Sequence, residues 1–364
     1  MSFTLNGHIY LPLAVASLNC ILFFIAIISL FLRDANHQPD WLRCVLAILI
    51  PGLMAYRGLK RKTIDYSGAV AGIIIGMSMI LSSYIGMVAL ITCYLAASKA
   101  TRFGEDIKRQ FEPNFKNGGQ RNWIQVISNL GAANIALLLR LIWFGVGEIR
   151  LDFLHSENYW NSWLLLSSLI SISAALGDTF SSELGPVFSG PNTEPLLITT
   201  LRRVPRGTNG GVTIDGFVAA CIGGFIIGLC SYLSIILFIP TTGHWAHTTS
   251  HQITWSTPQW PLLHFCLYSG LLGSALDSLM GATLQYTGYD HRRRRIVECE
   301  QQIDPFGSTL SSSSCDQSGS NLEHITGKDI LDNHEVNLLM TIIMATIVPL
   351  IIMPLWPFGF GDSY

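Results

Sequence analysis

The residues best suited to chemistry are four carboxylates that border or interrupt apolar segments. Asp178 and Glu183 follow a long apolar run that is expected to end at Gly177, where the two carboxylates enter a polar loop. Asp277 lies inside another apolar run, and Asp332 opens the last one. A carboxylate inside an apolar segment is costly and usually has a functional partner. Mg²⁺ is a suitable partner, because it binds through one or two carboxylates together with the oxygens of a substrate phosphate. We therefore predict that Asp178, Glu183 and Asp277 are catalytic and that they bind the metal together with Asp332.

A basic, glycine-rich stretch follows Asp178 and predicts phosphate binding. Arginine side chains are forked donors for phosphate oxygens, and the backbone N–H groups of Gly207–Gly211 are able to surround an anion. A tight turn into the next helix would use the same glycines, so the prediction depends on their combination with the arginines and Asp178. The residues predicted to contact substrate or nucleotide phosphate are Arg121, Arg202, Arg203, Arg206, Gly207, Thr208, Asn209, Gly210, Gly211, Lys328, Asn333 and Asn337.

Composition predicts the elements that position these residues. Only 13% of the 364 residues are charged and the mean hydropathy is +0.41, values typical of a chain that crosses a bilayer many times. The stretch Tyr66–Ser98 is too long for one crossing, and its regularly spaced glycines favour two short helices that turn near Ser82. We predict an all-α fold, a polytopic integral membrane helical bundle of about nine transmembrane helices with a cytoplasmic-face active-site loop. Residues 1–364 are predicted to form a single membrane-embedded domain.

Positive charge predicts the orientation of the bundle. The loops containing Arg57–Lys62, Lys99–Arg121, Arg202–Arg206 and Arg292–Arg295 share one side if there are about nine helices, and that side is expected to face the cytoplasm. We expect a multi-pass protein of the endoplasmic reticulum or another endomembrane. The balance of 22 basic to 24 acidic residues gives no reason to expect a nucleic-acid partner, and no feature predicts an oligomeric state.

Residues 289–328 are predicted to form a polar, partly disordered cytoplasmic loop inserted before the last helix. Its central part, Ser308–Ser320, is rich in serine and almost free of apolar residues. Such a segment buries too little apolar surface to offset the entropy that ordering costs. We therefore predict disorder there.

A polar stripe opens one of the predicted helices. Arg121, Gln125 and Asn129 recur every four residues and so share one face of the helix that begins near Trp123. The stripe fits two roles, hydrogen bonding between helices or contact with a phosphate or lipid head group. Arg140 lies deeper in the same segment, where it either extends toward the far interface or pairs with Glu148.

Five ordered motifs resemble the transmembrane protein 19 family, a family of uncharacterised-domain proteins that also contains the plant phytyl-phosphate kinase. The motifs are GGQRNWIQVISN at Gly118–Asn129, GDTFSSELGPV at Gly177–Val187, LITTLRRVPRGTNGGVT at Leu197–Thr213, GSALDSLMGATLQYTG at Gly273–Gly288, and the segment Asp332–Asn337. The resemblance implies transfer of the γ-phosphate of a nucleoside triphosphate, with Mg²⁺, to an isoprenyl monophosphate of phytyl, farnesyl or geranylgeranyl type. The product would be the diphosphate.

A more distant similarity concerns the nucleotide. Gly177-Asp178 with Ser182 and Gly185 is similar to the pattern of CTP-using polyprenol kinases and CDP-lipid synthases, which implies that Asp178 holds the metal and nucleotide. Ser181 and Arg206 depart from that pattern, so CTP and ATP both remain open as co-substrates.

Two other functions are compatible with the same residues. A CTP-dependent lipid cytidylyltransferase would share the site chemistry, and a non-enzymatic transporter of an anionic metabolite would use the carboxylates and arginines to line its pathway. Against the transporter, no internal inverted repeat is evident. For an isoprenoid acceptor, we expect the apolar tail to lie between helices where Gly273 and Gly281 leave room.

Overall fold

The protein is a bundle of α-helices. The computed structural model describes residues 9–33, 38–104, 120–190, 193–239, 257–291, 295–298 and 322–358. The α-helices within these residues are α1 (Tyr10–Leu32), α2 (Trp41–Lys60), α3 (Tyr66–Ser82), α4 (Tyr84–Arg102), α5 (Trp123–Phe144), α6 (Ser156–Phe188), α7 (Ile214–Phe238), α8 (Pro261–Leu284) and α9 (Asn333–Ile352), and a 3₁₀ helix, Met353–Phe358, follows α9. Eight of these described helices are long and apolar enough to cross a membrane, and α3 is a shorter apolar helix. The predicted polytopic helical architecture is confirmed.

The helix pair α3 and α4 turns where the sequence predicted. Helix α3 ends at Ser82, and the side chain of Ser83 accepts hydrogen bonds from the backbone N–H groups of Ile85 and Gly86. An N-cap serine of this kind satisfies donors that have no partner within the helix. Helix α4 therefore begins at Tyr84, directly after this capping residue.

Helix α6 is longer than the sequence predicted, and this corrects the position of two carboxylates. The apolar segment was expected to end at Gly177, with Asp178 and Glu183 entering a loop, but α6 continues to Phe188. Its small polar residues fit the helix because their hydroxyls bond to backbone carbonyls one turn back, as Thr179 Oγ1 does to Ala175 O at 2.8 Å. Asp178 is consequently a helical residue about 15 Å from the end of α6, at 1.5 Å per residue.

Helix α6 is also the centre of the bundle. Its described neighbours include α4, α5, α7, α8 and α9, and residues 162 and 164–177 are all buried. Helix α9 fills the groove between α5 and α6, where Thr341 Oγ1 donates to Ser128 O at 2.9 Å and Ser171 Oγ donates to Thr341 O at 3.3 Å. Hydrogen bonds of this type join helices that lack a hydrophobic driving force in lipid.

Within the described residues, two small sheets lie outside the helices. Strands β1 (Leu196–Leu197) and β2 (Gly211–Val212) pair antiparallel, and β3 (Thr287–Asp290), β4 (Arg295–Glu298) and β5 (Leu322–Thr326) form an antiparallel sheet in the order β4-β3-β5. The described ends of the 289–328 segment are thus ordered strands, which are too short to show a clear alternating pattern in the sequence. The predicted disorder of Ser308–Ser320 falls outside the described residues.

The exposed lysine and arginine side chains of the described residues lie at one end of the bundle. At this basic end, where α2, α4, α6 and α8 finish, Asp65 N donates to Arg121 O, Ile330 N donates to Leu284 O, and the rings of Phe103 and Phe188 lie 5.7 Å apart. These contacts bring the connections after α2, α4, α6 and α8 to the same end. The exposed basic side chains found there include Arg57, Lys60, Arg61, Lys99, Arg102, Arg202 and Arg203.

Candidate active site

The close crossing of α6 and α8 brings two carboxylates together. A Cβ added at Gly177 would lie 2.4 Å from Gly270 Cα, and one added at Gly273 would lie 2.6 Å from Ala174 Cβ. Small residues permit this approach of the two backbones. As a result, Asp178 of α6 and Asp277 of α8 lie close enough to interact electrostatically.

Asp277 has an oxygen without a partner. Its Oδ1 atom is buried and forms no hydrogen bond with any described residue. A buried, unsatisfied carboxylate oxygen carries the full cost of desolvation unless a ligand satisfies it. Two neighbouring carboxylates and an orphaned oxygen suit Mg²⁺, which takes one or two carboxylates and completes its shell with water and substrate phosphate. Asp178 and Asp277 are therefore the described residues that best fit the predicted metal.

The glycine-rich loop Gly207–Gly211 packs on α8 directly beyond Asp277. Gly210 has φ of +78°, and a Cβ there would lie 2.6 Å from Ser278 O and 2.4 Å from Ala282 Cβ. The loop is fixed further by Asn209 N, which donates to Thr287 Oγ1 at 3.3 Å. The predicted phosphate-binding backbone thus lies within about one helical turn of the carboxylate pair.

The three arginines before this loop have different surroundings. Arg206 Nε donates to Thr193 O at 2.9 Å, and a second guanidinium nitrogen donates to Gly190 O, so this side chain holds the connection that follows α6. Arg202 and Arg203 are exposed at the basic end. A phosphate-binding role stays a prediction for all three arginines.

The four predicted metal ligands do not form one cluster. Among the residues that the structure describes, no three His, Cys, Asp or Glu side chains are grouped as a metal site would require. Asp332 caps α9, since its Oδ1 accepts from Glu335 N at 2.7 Å. Glu183 is five residues beyond Asp178 and so points about 140° away from it around the helix. The structure brings together Asp178 and Asp277, and metal binding by Glu183 and Asp332 stays a prediction.

Three further predicted phosphate contacts lie near the start of α9. Lys328 and Asn333 are exposed, and Lys328 N donates to Thr283 O at 3.1 Å, which places it beside the end of α8. Asn337 is partly buried and precedes Thr341 by one turn, so it shares the face of α9 that packs on α5 and α6. Of the three, Asn337 is on the helix face nearest the interior.

The polar stripe of α5 faces a cavity. Gln125 and Asn129 of α5, with Arg121 two residues before this helix, line a space between α2, α3, α4, α5 and α6, here called the side cavity. Thr179 lines the opposite wall beside Asp178. Its empty volume, mouth included, is about 830 Å³. Arg121 also donates to Thr101 Oγ1 at 3.1 Å. The hydrogen bond joins two helices at one end of the stripe, and contact of the stripe with a phosphate or lipid head group stays a prediction.

The room expected for an isoprenoid tail at two glycines is absent, which corrects that expectation. Gly273 is covered by Ala174, and a Cβ at Gly281 would lie 2.9 Å from Gln285 Oε1 and 3.3 Å from Gly210 N. These glycines serve close backbone packing instead of leaving space. The space lies at Gly72, where a Cβ would meet only Ile64 Cδ1, at 3.9 Å.

Sequence reasoning missed the walls of the side cavity on α2 and α4. Met54, Cys93, Tyr94 and Ala97 line it, yet each belongs to an apolar segment of ordinary composition. The spacing Gly68, Gly72, Gly76 was the available signal, and it was interpreted as helix contact throughout. That holds for Gly68 and Gly76, whose added Cβ atoms would lie 2.4 Å from Arg121 O and 2.7 Å from Pro51 Cγ, respectively.

Comparison with known proteins identifies the family. The profile described as integral membrane protein DUF92 matches residues 49–345, which include all of α3 to α8. The chain belongs to the DUF92 family of integral membrane proteins. In this family it is 34% identical over 296 residues to Protein PGR of Arabidopsis thaliana, covering 81% of this chain and 91% of the relative.

Two microbial membrane proteins are similar as well. An uncharacterized membrane protein of Synechocystis is 31% identical over 262 residues, covering 67% of this chain and 93% of the relative. One from Methanocaldococcus jannaschii is 28% identical over 260 residues, covering 70% and 89%. No solved structure matches the chain.

Proposed function

We propose that the protein is a membrane-embedded phosphotransferase that converts an isoprenyl monophosphate, of phytyl, farnesyl or geranylgeranyl type, to its diphosphate. The single observation that carries the proposal is the neighbouring, partly buried pair Asp178 and Asp277, with a buried, unsatisfied Asp277 oxygen, beside the glycine loop. The co-substrate is a nucleoside triphosphate, CTP or ATP. By the positive-inside rule, the basic end faces the cytoplasm, where nucleotides are abundant.

The proposed reaction needs positioning and charge neutralisation more than acid–base chemistry. An oxygen of the acceptor phosphate forms a bond to the γ-phosphorus, the bond from that phosphorus to the β–γ bridging oxygen breaks, and the nucleoside diphosphate leaves with those electrons. An acceptor that is already a phosphate monoester is ionised at neutral pH and needs little help from a base. Mg²⁺, held by Asp178 and Asp277, would offset the charge on the donor phosphates.

The chain's own residues then orient the two phosphates. The backbone of Thr208–Gly211 lies on α8 next to Asp277, where its N–H groups favour an anion, and the side chains of Arg121, Gln125 and Asn129 line the space on the other side of α6. In this proposal, the donor phosphates lie at the loop and the acceptor phosphate lies near Thr179. Asp178 on α6 and Asp277 on α8 then lie between the two anions.

The test is a transfer assay on the purified full-length protein in lipid nanodiscs. Geranylgeranyl, farnesyl and phytyl monophosphates are supplied separately with CTP or ATP and Mg²⁺, and lipid products are identified by mass spectrometry. We expect a diphosphate, with more than about a hundredfold loss of rate in Asp178→Asn and Asp277→Asn. Retention of the full rate by both variants, with normal folding, would remove the basis of the proposal.

The same assay separates the rival functions. A cytidylyltransferase would release pyrophosphate from CTP and give a CDP-linked lipid, whereas a kinase releases CDP. A transporter would give neither product and would instead exchange a labelled anion across proteoliposomes. Cells that lack the protein provide an independent check, since the proposal expects isoprenyl monophosphate to accumulate in them.

A further inference from the structure

The side cavity is built to hold an elongated apolar molecule. Most of its wall is apolar, with Met54 and Pro51 on α2, Leu90 and Cys93 on α4, and Leu130 on α5. A mostly apolar wall with a few placed polar groups is typical of small-molecule sites. The polar groups here are confined to one wall, the Arg121 stripe with Thr179 opposite.

A second, basic recess adjoins the side cavity. Arg57, Arg61, Lys99 and Arg102 line this recess, called here the basic vestibule, and Thr63 and Tyr94 line both spaces. The vestibule lies at the basic end of the bundle, and its four cationic side chains are exposed. A recess walled by one sign of charge concentrates the opposite ion. The two spaces together match a molecule with an anionic head and an apolar body.

The position of Thr179 connects this cavity to the carboxylates. Ala175 and Thr179 line the cavity from α6, while Ala174 and Gly177 on the neighbouring face pack against α8. Asp178, the residue before Thr179, belongs to the side that meets Asp277. At about 100° per residue, Asp178 lies between the α6 face that packs on α8 and the face that lines the cavity, so a head group beside Thr179 is on the face next to Asp178.

We propose that the side cavity is the acceptor pocket. The apolar chain of a lipid monophosphate lies against α2, α3 and α4, its phosphate is held by Arg121, Gln125 and Asn129, and the basic vestibule draws it in. Gly72 sets the usable length of the pocket, since its missing side chain leaves the space open. This inference rests on the proposed function for the identity of the acceptor, but the binding site itself is testable without catalysis.

The experiment measures binding in the absence of turnover. A farnesyl monophosphate carrying a terminal diazirine is irradiated with the full-length protein in nanodiscs, with EDTA and without nucleotide, and labelled peptides are identified by mass spectrometry. We expect label on peptides from α2 and α4, removed by excess unlabelled farnesyl monophosphate. Label confined to α7 and α8 would overturn the pocket assignment.

A matched glycine pair tests the apolar part. Gly72 and Gly52 are both helical glycines with room for a side chain, because a Cβ at Gly52 meets no described atom within 4 Å, but only Gly72 lines the cavity. Gly72→Leu is expected to weaken labelling about tenfold, whereas Gly52→Leu leaves it unchanged. Equal labelling of the two variants would show that the isoprenoid tail of the probe does not occupy the side cavity.

A matched lysine pair tests the charged part. Lys99 lines the vestibule, and Lys60 is an exposed lysine at the same end that does not. Unlabelled farnesyl monophosphate should displace the probe at a lower concentration than farnesol does. Lys99→Gln is expected to reduce the ratio of these two concentrations by about threefold, whereas Lys60→Gln leaves the ratio unchanged. Equal competition by the alcohol and the phosphate in the unsubstituted protein would overturn head-group selection.

Failure of this inference and failure of the proposed function give different results. Specific labelling of α2 and α4 without any diphosphate formation would support the pocket assignment and contradict the proposed kinase activity. Diphosphate formation with labelling outside α2 and α4 would support the proposed kinase activity and contradict the pocket assignment.

Discussion

Arg43 and Glu148 form a buried ion pair at the end of the bundle opposite the candidate active site, with 2.9 Å between Arg43 Nη2 and Glu148 Oε1. The same carboxylate accepts from Ser83 Oγ at 2.7 Å and from Tyr84 N at 2.7 Å, so it also fixes the start of α4. Arg140, one of whose predicted partners was Glu148, instead donates to the carbonyls of Ser82 and Gly147, both at 2.7 Å. One acidic residue thus organises the turn between α3 and α4.

We predict that Glu148→Ala destabilises the protein by roughly 3 kcal/mol, because removal of one partner leaves a buried charge uncompensated. The measurement is thermal unfolding in detergent, followed by intrinsic fluorescence. The double variant Arg43→Met with Glu148→Met removes both charges and is expected to recover part of the loss. A double variant less stable than either single variant would contradict a charge-based explanation.

Backbone contact between α6 and α8 leads to a second prediction. Gly177→Ala places a methyl group 2.4 Å from Gly270 Cα, so the two helices must separate. We expect a loss of roughly 1–3 kcal/mol in stability and a fall in transfer rate, since Asp178 and Asp277 move apart. Gly52→Ala, where the added group meets open space, is the control for helix propensity and is expected to have no such effect.

The glycine loop gives a third prediction, which separates strain from clash. Gly210 and Gly190 both have positive φ, +78° and +75°, but a Cβ at Gly210 would strike Ala282 while one at Gly190 meets no described atom within 4 Å. Gly210→Ala is expected to displace the loop and reduce phosphate transfer by about a hundredfold, with a smaller effect for Gly190→Ala. Equal losses of rate in the two variants would point to backbone strain alone.

Much of the fold could be predicted from composition and hydropathy. The apolar segments predicted the spans, and the excess length of Tyr66–Ser98 predicted the turn at Ser82, because a bilayer of fixed thickness limits each helix. The extension of α6 to Phe188 was missed, since Ser, Thr, Asp and Gly ordinarily favour turns. Close packing of Gly185 on Gly216 helps to keep this last part of α6 helical, although its residue types do not favour a helix.

Part of the candidate site could be predicted from the sequence, and part could not. An acidic residue inside an apolar segment is conspicuous, so Asp178 and Asp277 could be found from the sequence. The separation of Asp332 from that pair depends on which groups its carboxylate meets, and its use as a cap of α9 appears only in three dimensions. The side cavity depends on the direction of side chains from five helices, which no single segment encodes.

The connection between α5 and α6 gives a last prediction, on pH. Burial raises the pKa of Asp152, but hydrogen bonds from Asn158, His155 and the Leu154 N–H outweigh it, so the pKa of this carboxyl lies below its ordinary value. These hydrogen bonds are short, because Asp152 Oδ2 lies 2.7 Å from His155 Nδ1 and 3.0 Å from Asn158 Nδ2. A lowered native pKa means that the ionised carboxylate stabilises the folded loop.

The sign of the pH effect follows from linkage. Because the folded pKa is the lower one, the contribution of Asp152 is fully present above the unfolded value of about 3.9 and is lost as the pH falls through the folded value. We expect amide hydrogen exchange in the peptide covering residues 152–158, corrected for intrinsic rates, to accelerate as the pH falls below about 4. Asp152→Asn is expected to exchange faster at pH 6 and to show no further acceleration on acidification. A wild-type-like acid step in that variant would assign the effect to another group.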